Sequence, residues 1–175
     1  MASGNFSSTS YNGFSLYVEW SSTSNISENS SNVTARVYVK SYGLRATALS
    51  DSYIIINGNK KNWTHTFNIA NTSTLQTTHV TDYTVTVPHN SDGTKSITIK
   101  ANMEFNGTYG GTYISDLTAS KTVTLDTIPR ASSFSIPSSI NTGSSLSITI
   151  APSSSLFKHK VAFEIDGVTK NTSDF

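Results

Sequence analysis

Over most of the first 126 residues apolar side chains fall on alternate positions, and a two-residue period builds strands, not helices. Phe14, Leu16, Val18 and Trp20 face one way while Ser15, Tyr17 and Glu19 face the other. Val33, Ala35, Val37 and Val39 alternate with Thr34, Arg36, Tyr38 and Lys40 in the same manner. Between these strands, Ser21 to Ser31 is too poor in apolar residues to read as anything but a connection. Tyr53-Ile54-Ile55-Ile56 runs into Asn57-Gly58, the strongest short hairpin signal because both residues tolerate positive φ. The returning strand is expected near Asn62 to Asn68, with Trp63, His65, Phe67 and Ile69 in step.

Farther on, Tyr83-Thr84-Val85-Thr86-Val87 stops at Pro88, and a turn follows through Gly93. Ile97, Ile99, Ala101, Met103 and Phe105 then mark a long strand. A glycine-rich tip, Asn106 to Gly111, leads to a last strand ending in Val123 and Leu125. About seven or eight strands separated by turn signals, with no helical period, predict an all-β fold: an antiparallel β-sandwich over residues 1–126.

Pro129 cannot donate to a ladder and pushes Ile128 into extended geometry, so residues 127–131 read as a short stiff linker. A second pattern follows in 132–175: Phe134 and Ile136, then Leu146, Ile148 and Ile150, then Val161, Phe163 and Ile165 before Asp166-Gly167. Three strands are too few to close a sandwich. The expectation is the start of a second, Ig-like β-module, incomplete here, in a piece of a longer chain.

Composition removes whole classes of function. The chain has 175 residues, no Cys, 13% charged residues and a net charge of +1. It therefore has no disulfide framework, no thiolate metal site and no electrostatic footprint for nucleic acid. Ser, Thr and Asn together make up roughly two-fifths of the residues. No window approaches the ~18 apolar residues of a membrane span, and the N-terminus carries no export signal, so membrane insertion is not expected. Such a surface-type composition without an export signal fits a virion component assembled inside a cell. The Asn-x-Ser/Thr triplets, beginning at Asn5, are by-products of that composition.

Catalytic groups do not converge. His65, His79, His89 and His159 lie in separate segments with no ligand spacing, so no metal or other cofactor is expected. His65 reads as a core histidine and His89 as a turn residue. The carboxylates are equally dispersed, and there is no Gly-x-Ser-x-Gly elbow, P-loop or dinucleotide fingerprint. The expected protein is not an enzyme. Sugar recognition leaves a fainter trace, because C–H faces stack on aromatic rings while hydroxyls need neutral partners. Trp20 falls on the apolar face and reads as core. Trp63 near a hairpin tip, with Tyr109 and Tyr113 flanking the glycine cluster, are the candidates for an exposed ligand platform.

The order of several segments carries a resemblance. They are Leu16 to Ser21, Ser24 to Thr34, Ile54 to Gly58, Val87 to Ser96, Phe157 to Val161 and, most specifically, Leu125-Asp126-Thr127-Ile128-Pro129-Arg130-Ala131-Ser132-Ser133. Together they resemble a family of structural proteins from the tails of siphoviruses that infect streptococci and related Gram-positive bacteria, over essentially the whole chain. The sequence departs from the family pattern at Ser24, where a Gln commonly precedes the Asn, and family members are usually much longer.

The resemblance implies a virion tail-tip or fibre protein in host attachment, assembled in the bacterial cytoplasm and released by lysis. Its N-terminal sandwich would dock on other tail proteins, as a homo-oligomer in which weak sites sum by avidity. The alternative is a carbohydrate-binding module contacting host cell-wall polysaccharide through Trp63, Tyr109 and Tyr113. No catalytic residue transfers from the family.

Overall fold

A computed structural model describes residues 1–130, 133–139, 141–145, 148–151, 162–165 and 168–171. The chain divides into two compact units, Met1–Asn90 with Thr94–Ile128, and Ser91–Gly93 with Pro129–Phe175. The strands of the first unit are β1 (Ser3–Ser7), β2 (Ser15–Asn25), β3 (Ser30–Ser41), β4 (Leu44–Thr47), β5 (Tyr53–Ile56), β6 (Asn59–Asn62), β7 (Thr66–Ile69), β8 (Gln76–Pro88), β9 (Ser96–Tyr109) and β10 (Thr112–Thr124). They form two four-stranded antiparallel sheets, ordered β1-β2-β3-β8 and β10-β9-β5-β6, with a two-stranded ladder of β4 and β7. The predicted antiparallel β-sandwich is the fold observed.

The alternation places the core. Leu16, Val18, Val33, Val37 and Val39 from the first sheet, and Ile54, Ile56, Ile99, Ala101 and Met103 from the second, are fully buried in one apolar cluster. Each such Val, Leu, Ile or Met side chain contributes about 1.5–3 kcal/mol of transfer free energy, which makes this interior the main source of stability. Trp20 joins the cluster, and Gly4 lies opposite it on β1, where a Cβ would press on the indole. Asn57-Gly58 closes the β5–β6 hairpin with both residues at positive φ, as the sequence predicts.

Several expectations fail. Ser21 to Ser31 is no connection: β2 runs on to Asn25 and β3 starts at Ser30, with only Ile26 to Asn29 in the turn. Serines substitute for apolar residues on the inner face there, with Ser22 and Ser31 buried and the Ser31 hydroxyl 2.9 Å from Nε2 of His89. His89 is accordingly buried and not merely a turn residue. The expected return strand over Asn62 to Asn68 is broken in two: β6 pairs with β5, and β7 leaves to pair with β4. His65 falls in the break, half-buried, its ring 4.6 Å from that of Phe67. Finally, the glycine-rich tip shrinks to Gly110-Gly111, since β9 extends to Tyr109.

In the second unit β11 (Ser133–Ser135) pairs with β12 (Thr149–Ala151), and β13 (Ala162–Ile165) with β14 (Val168–Asn171), all antiparallel. Leu146, the Phe157 to Val161 segment and the Asp166-Gly167 turn lie outside the described residues.

Candidate functional site

β9 outruns its partner β5, which pairs only with Ile99 to Asn102, and its far half carries the residues of interest. Between Glu104 and Gly107 the β9–β10 register shifts by one residue, with Asn106 at φ 48° in the bulge. A bulge bends its strand and re-aims the side chains beyond it. Here Phe105, Thr108 and Tyr109 are brought to face Gly43, Leu44 and Arg45 of the β4 segment and Ala70 and Asn71 after β7. These residues line an open cleft of about 500 Å³.

The cleft has a rigid aromatic floor. Tyr109 stacks on Phe14 at a centroid distance of 4.7 Å, and Phe105 meets Phe14 edge-on at 4.9 Å. The Tyr109 phenol oxygen accepts the Tyr42 N–H at 3.0 Å, which fixes the ring while leaving its own proton for donation. Gly43 lets the opposite wall close, because a Cβ there would collide with the Asn71 side chain. Gly107 lets the Phe105 ring lie over its backbone in the same way. Arg45 is exposed, and it supplies the single formal charge among the lining residues. No ion pair among the described residues engages it.

The three sequence candidates part company. Tyr109 lines the cleft. Tyr113 is 66% exposed on β10, its hydroxyl donating to Asn106 Oδ1 at 3.4 Å, and it does not line the cleft. Trp63 is a correction: at 6% exposure it belongs to the core. Its backbone N–H donates to the Ser52 carbonyl at 3.0 Å, one step beyond the hairpin ladder. Strand alternation then carries its ring inward, on the same side as Ile54 and Ile56.

Sequence reasoning missed a second aromatic grouping. On the outer face of the first sheet, Tyr17 pairs with Tyr38 at a centroid distance of 6.0 Å, and Tyr38 meets His79 at 5.3 Å. The alternation already places Tyr17 and Tyr38 outward, but only the register aligns them. Lys40 sits 3.7 Å over the Tyr17 ring and Glu19 accepts from the Tyr38 hydroxyl at 3.2 Å. The partners of these rings come from the sheet itself, so the row is a cross-strand packing device more than a ligand platform. A shallower hollow of about 280 Å³ beside Gly4 and Trp20 mixes Glu19 with Arg36.

Among the described residues no group of three or more His, Asp or Glu is placed to hold a metal ion, and no helix is long and apolar enough to cross a membrane. No curated protein and no solved structure matched the chain. A family profile described as "Siphovirus protein of unknown function (DUF859)" matches residues 1–174. That match runs through both β-rich units, from the first sandwich strands to the end of the second unit, and the chain belongs to this siphovirus family.

Proposed function

We propose that the chain is a component of the siphovirus tail, at the tail tip or in a fibre, and takes part in attachment to a Gram-positive host. The observation that carries the reading is the succession of β-rich units along one siphovirus chain, with the proline-bearing segment Asp126 to Arg130 between their strands. Serial β-modules with polar surfaces and a net charge of only +1 suit a symmetric, crowded assembly. The N-terminal sandwich serves as the docking module toward other tail proteins, in a homo-oligomer, and the chain is non-catalytic, with no cofactor. Immunogold labelling of virions with antibodies to residues 1–126 tests this. Label at the tail tip or fibre supports it, and label confined to the capsid, or absent from intact virions, overturns it. Label at the distal end alone would overturn the docking role and leave the attachment role standing.

A second reading, a carbohydrate-binding module for host cell-wall polysaccharide, is favoured by the cleft. Phe105 and Tyr109 offer aromatic surface while Asn71 and Thr108 offer amide and hydroxyl groups, the combination that recognises a sugar ring. Tyr109 is the sequence candidate that this reading keeps.

A further inference from the structure

We infer that the cleft between the β4–β7 ladder and the end of β9 binds a saccharide unit bearing an acidic group, with Arg45 as the residue that reads the acid. The inference rests on the carbohydrate reading above and specifies its ligand. Its grounds are the chemistry of the lining. Arg45 brings a positive charge to a cleft with no carboxylate in its wall, so the local field favours an anion. A guanidinium presents a planar fork that matches carboxylate or phosphate oxygens through paired N–H donors. The other lining groups are neutral and suit the rest of a sugar: the aromatic floor for its C–H face, the Asn71 amide and the Thr108 and Tyr109 hydroxyls for its own hydroxyls.

The floor is preorganised. Tyr109 is held by Phe14 on one side and by the Tyr42 N–H at its oxygen, so little side-chain freedom is lost when a ligand arrives. Asn71 is seated against Gly43, which no other residue type could replace without moving it. The outer face of the first sheet lacks this arrangement. There Arg36 sits in register between Glu19 and Asp82, and an incoming anion would meet two carboxylates.

The test is calorimetric titration of the full chain with oligogalacturonate, glucose 1-phosphate and a neutral galactose oligosaccharide. The expected result is binding of both acidic ligands, with the neutral one weaker by about tenfold, the effect of one charge-assisted hydrogen-bond pair. Arg45→Gln removes the preference for acid, whereas Arg36→Gln leaves it intact. Gly43→Ala, which displaces Asn71, weakens acidic and neutral ligands alike. Circular dichroism melts of each variant separate lost binding from lost folding. Binding of only one acidic ligand identifies the acid as carboxylate or phosphate and supports the inference. Equal binding of neutral and acidic sugars, or a preference that survives Arg45→Gln, overturns the inference and leaves the carbohydrate reading standing. Failure of all three ligands overturns both, and the tail location is still decided by labelling.

Discussion

Lys61 on β6 of one sheet donates from Nζ to the backbone carbonyl of Asp82 on β8, the edge strand of the other sheet, at 2.7 Å. Lys121 on β10 repeats the arrangement at the opposite margin, with Nζ 3.5 Å from the Asn5 carbonyl on edge strand β1. Both lysines stand on the inward row of their strands, opposite Ile54 and Ile99. Inward-pointing charge at an edge is a known obstacle to edge-to-edge pairing. Each margin of the first sheet therefore carries a lysine that reaches over from the second.

Lys61→Val should accordingly promote self-association with little change in stability, within ~1 kcal/mol, because an exposed charged contact contributes little to folding. Sedimentation velocity across a concentration series checks this. A variant that stays as dispersed as the parent protein would show that the lysine does not guard the edge.

Trp63 gives the sharpest contrast between a structural and a surface aromatic. Trp63→Ala should destabilise the sandwich by about 3–5 kcal/mol, the cost of emptying a large core site. Tyr113→Ala, on the exposed face, should change stability by no more than ~0.5 kcal/mol. The Trp63 Nε1–H is buried without a hydrogen-bond partner among the described residues, so Trp63→Phe loses area but sheds an unsatisfied donor. It should therefore cost clearly less than Trp63→Ala. Urea unfolding of the three variants ranks them, and a Trp63→Ala protein as stable as Tyr113→Ala would contradict the core placement.

How far the sequence specifies this fold is visible in particular residues. Where a strand alternates large apolar with polar side chains, as in Phe14 to Trp20, both its existence and its buried face follow from the pattern. Where serine takes the inner positions, as at Ser22 and Ser31, the pattern vanishes although the strand does not. Hydropathy cannot tell a buried small hydroxyl from a solvated one. β1 and β4 are hidden for a related reason: their inward positions include Gly4, which makes room for Trp20, and Ala46, too small to mark a core face. The candidate cleft was legible only through Tyr109. Arg45, Asn71 and Phe105 come from separate segments of the chain, and their meeting depends on the Asn106 bulge and on β7 leaving β6 for β4, neither of which local periodicity encodes.

Tyr17 and Tyr38 should titrate above ordinary phenols. Loss of water contact on the packed sheet face raises both, and the neighbouring Glu19 carboxylate adds to the effect by opposing a second negative charge. A phenol whose pKa is raised by folding contributes stability that is complete below the unfolded value, about 10, and is lost as pH rises through the folded value. The share of stability held by these two phenols should therefore fall only as pH rises beyond about 10. Glu19→Gln should bring both phenols back toward the ordinary range, most directly Tyr38, which donates to Glu19. Phenolate absorbance followed through an alkaline titration reads this, and an unchanged titration in Glu19→Gln would exclude Glu19 as a cause.

The two glycine turns separate backbone cost from steric cost. Gly58 sits at φ 83° with open space where a Cβ would go, so Gly58→Ala tests conformation alone and should cost about 1 kcal/mol. Gly110, at φ 56°, carries the same penalty, but there a Cβ would also strike the Asn12 side chain, whose Nδ2 donates to the Gly110 carbonyl at 3.1 Å. Gly110→Ala must strain the backbone and break that bond, adding about 0.5–1.5 kcal/mol. The double variant Asn12→Ala with Gly110→Ala should recover part of the difference, because the obstacle and the bond disappear together. A thermodynamic cycle built from urea unfolding measures that coupling. Strictly additive costs at Asn12 and Gly110 would mean that the β9–β10 turn and the loop before β2 do not support one another.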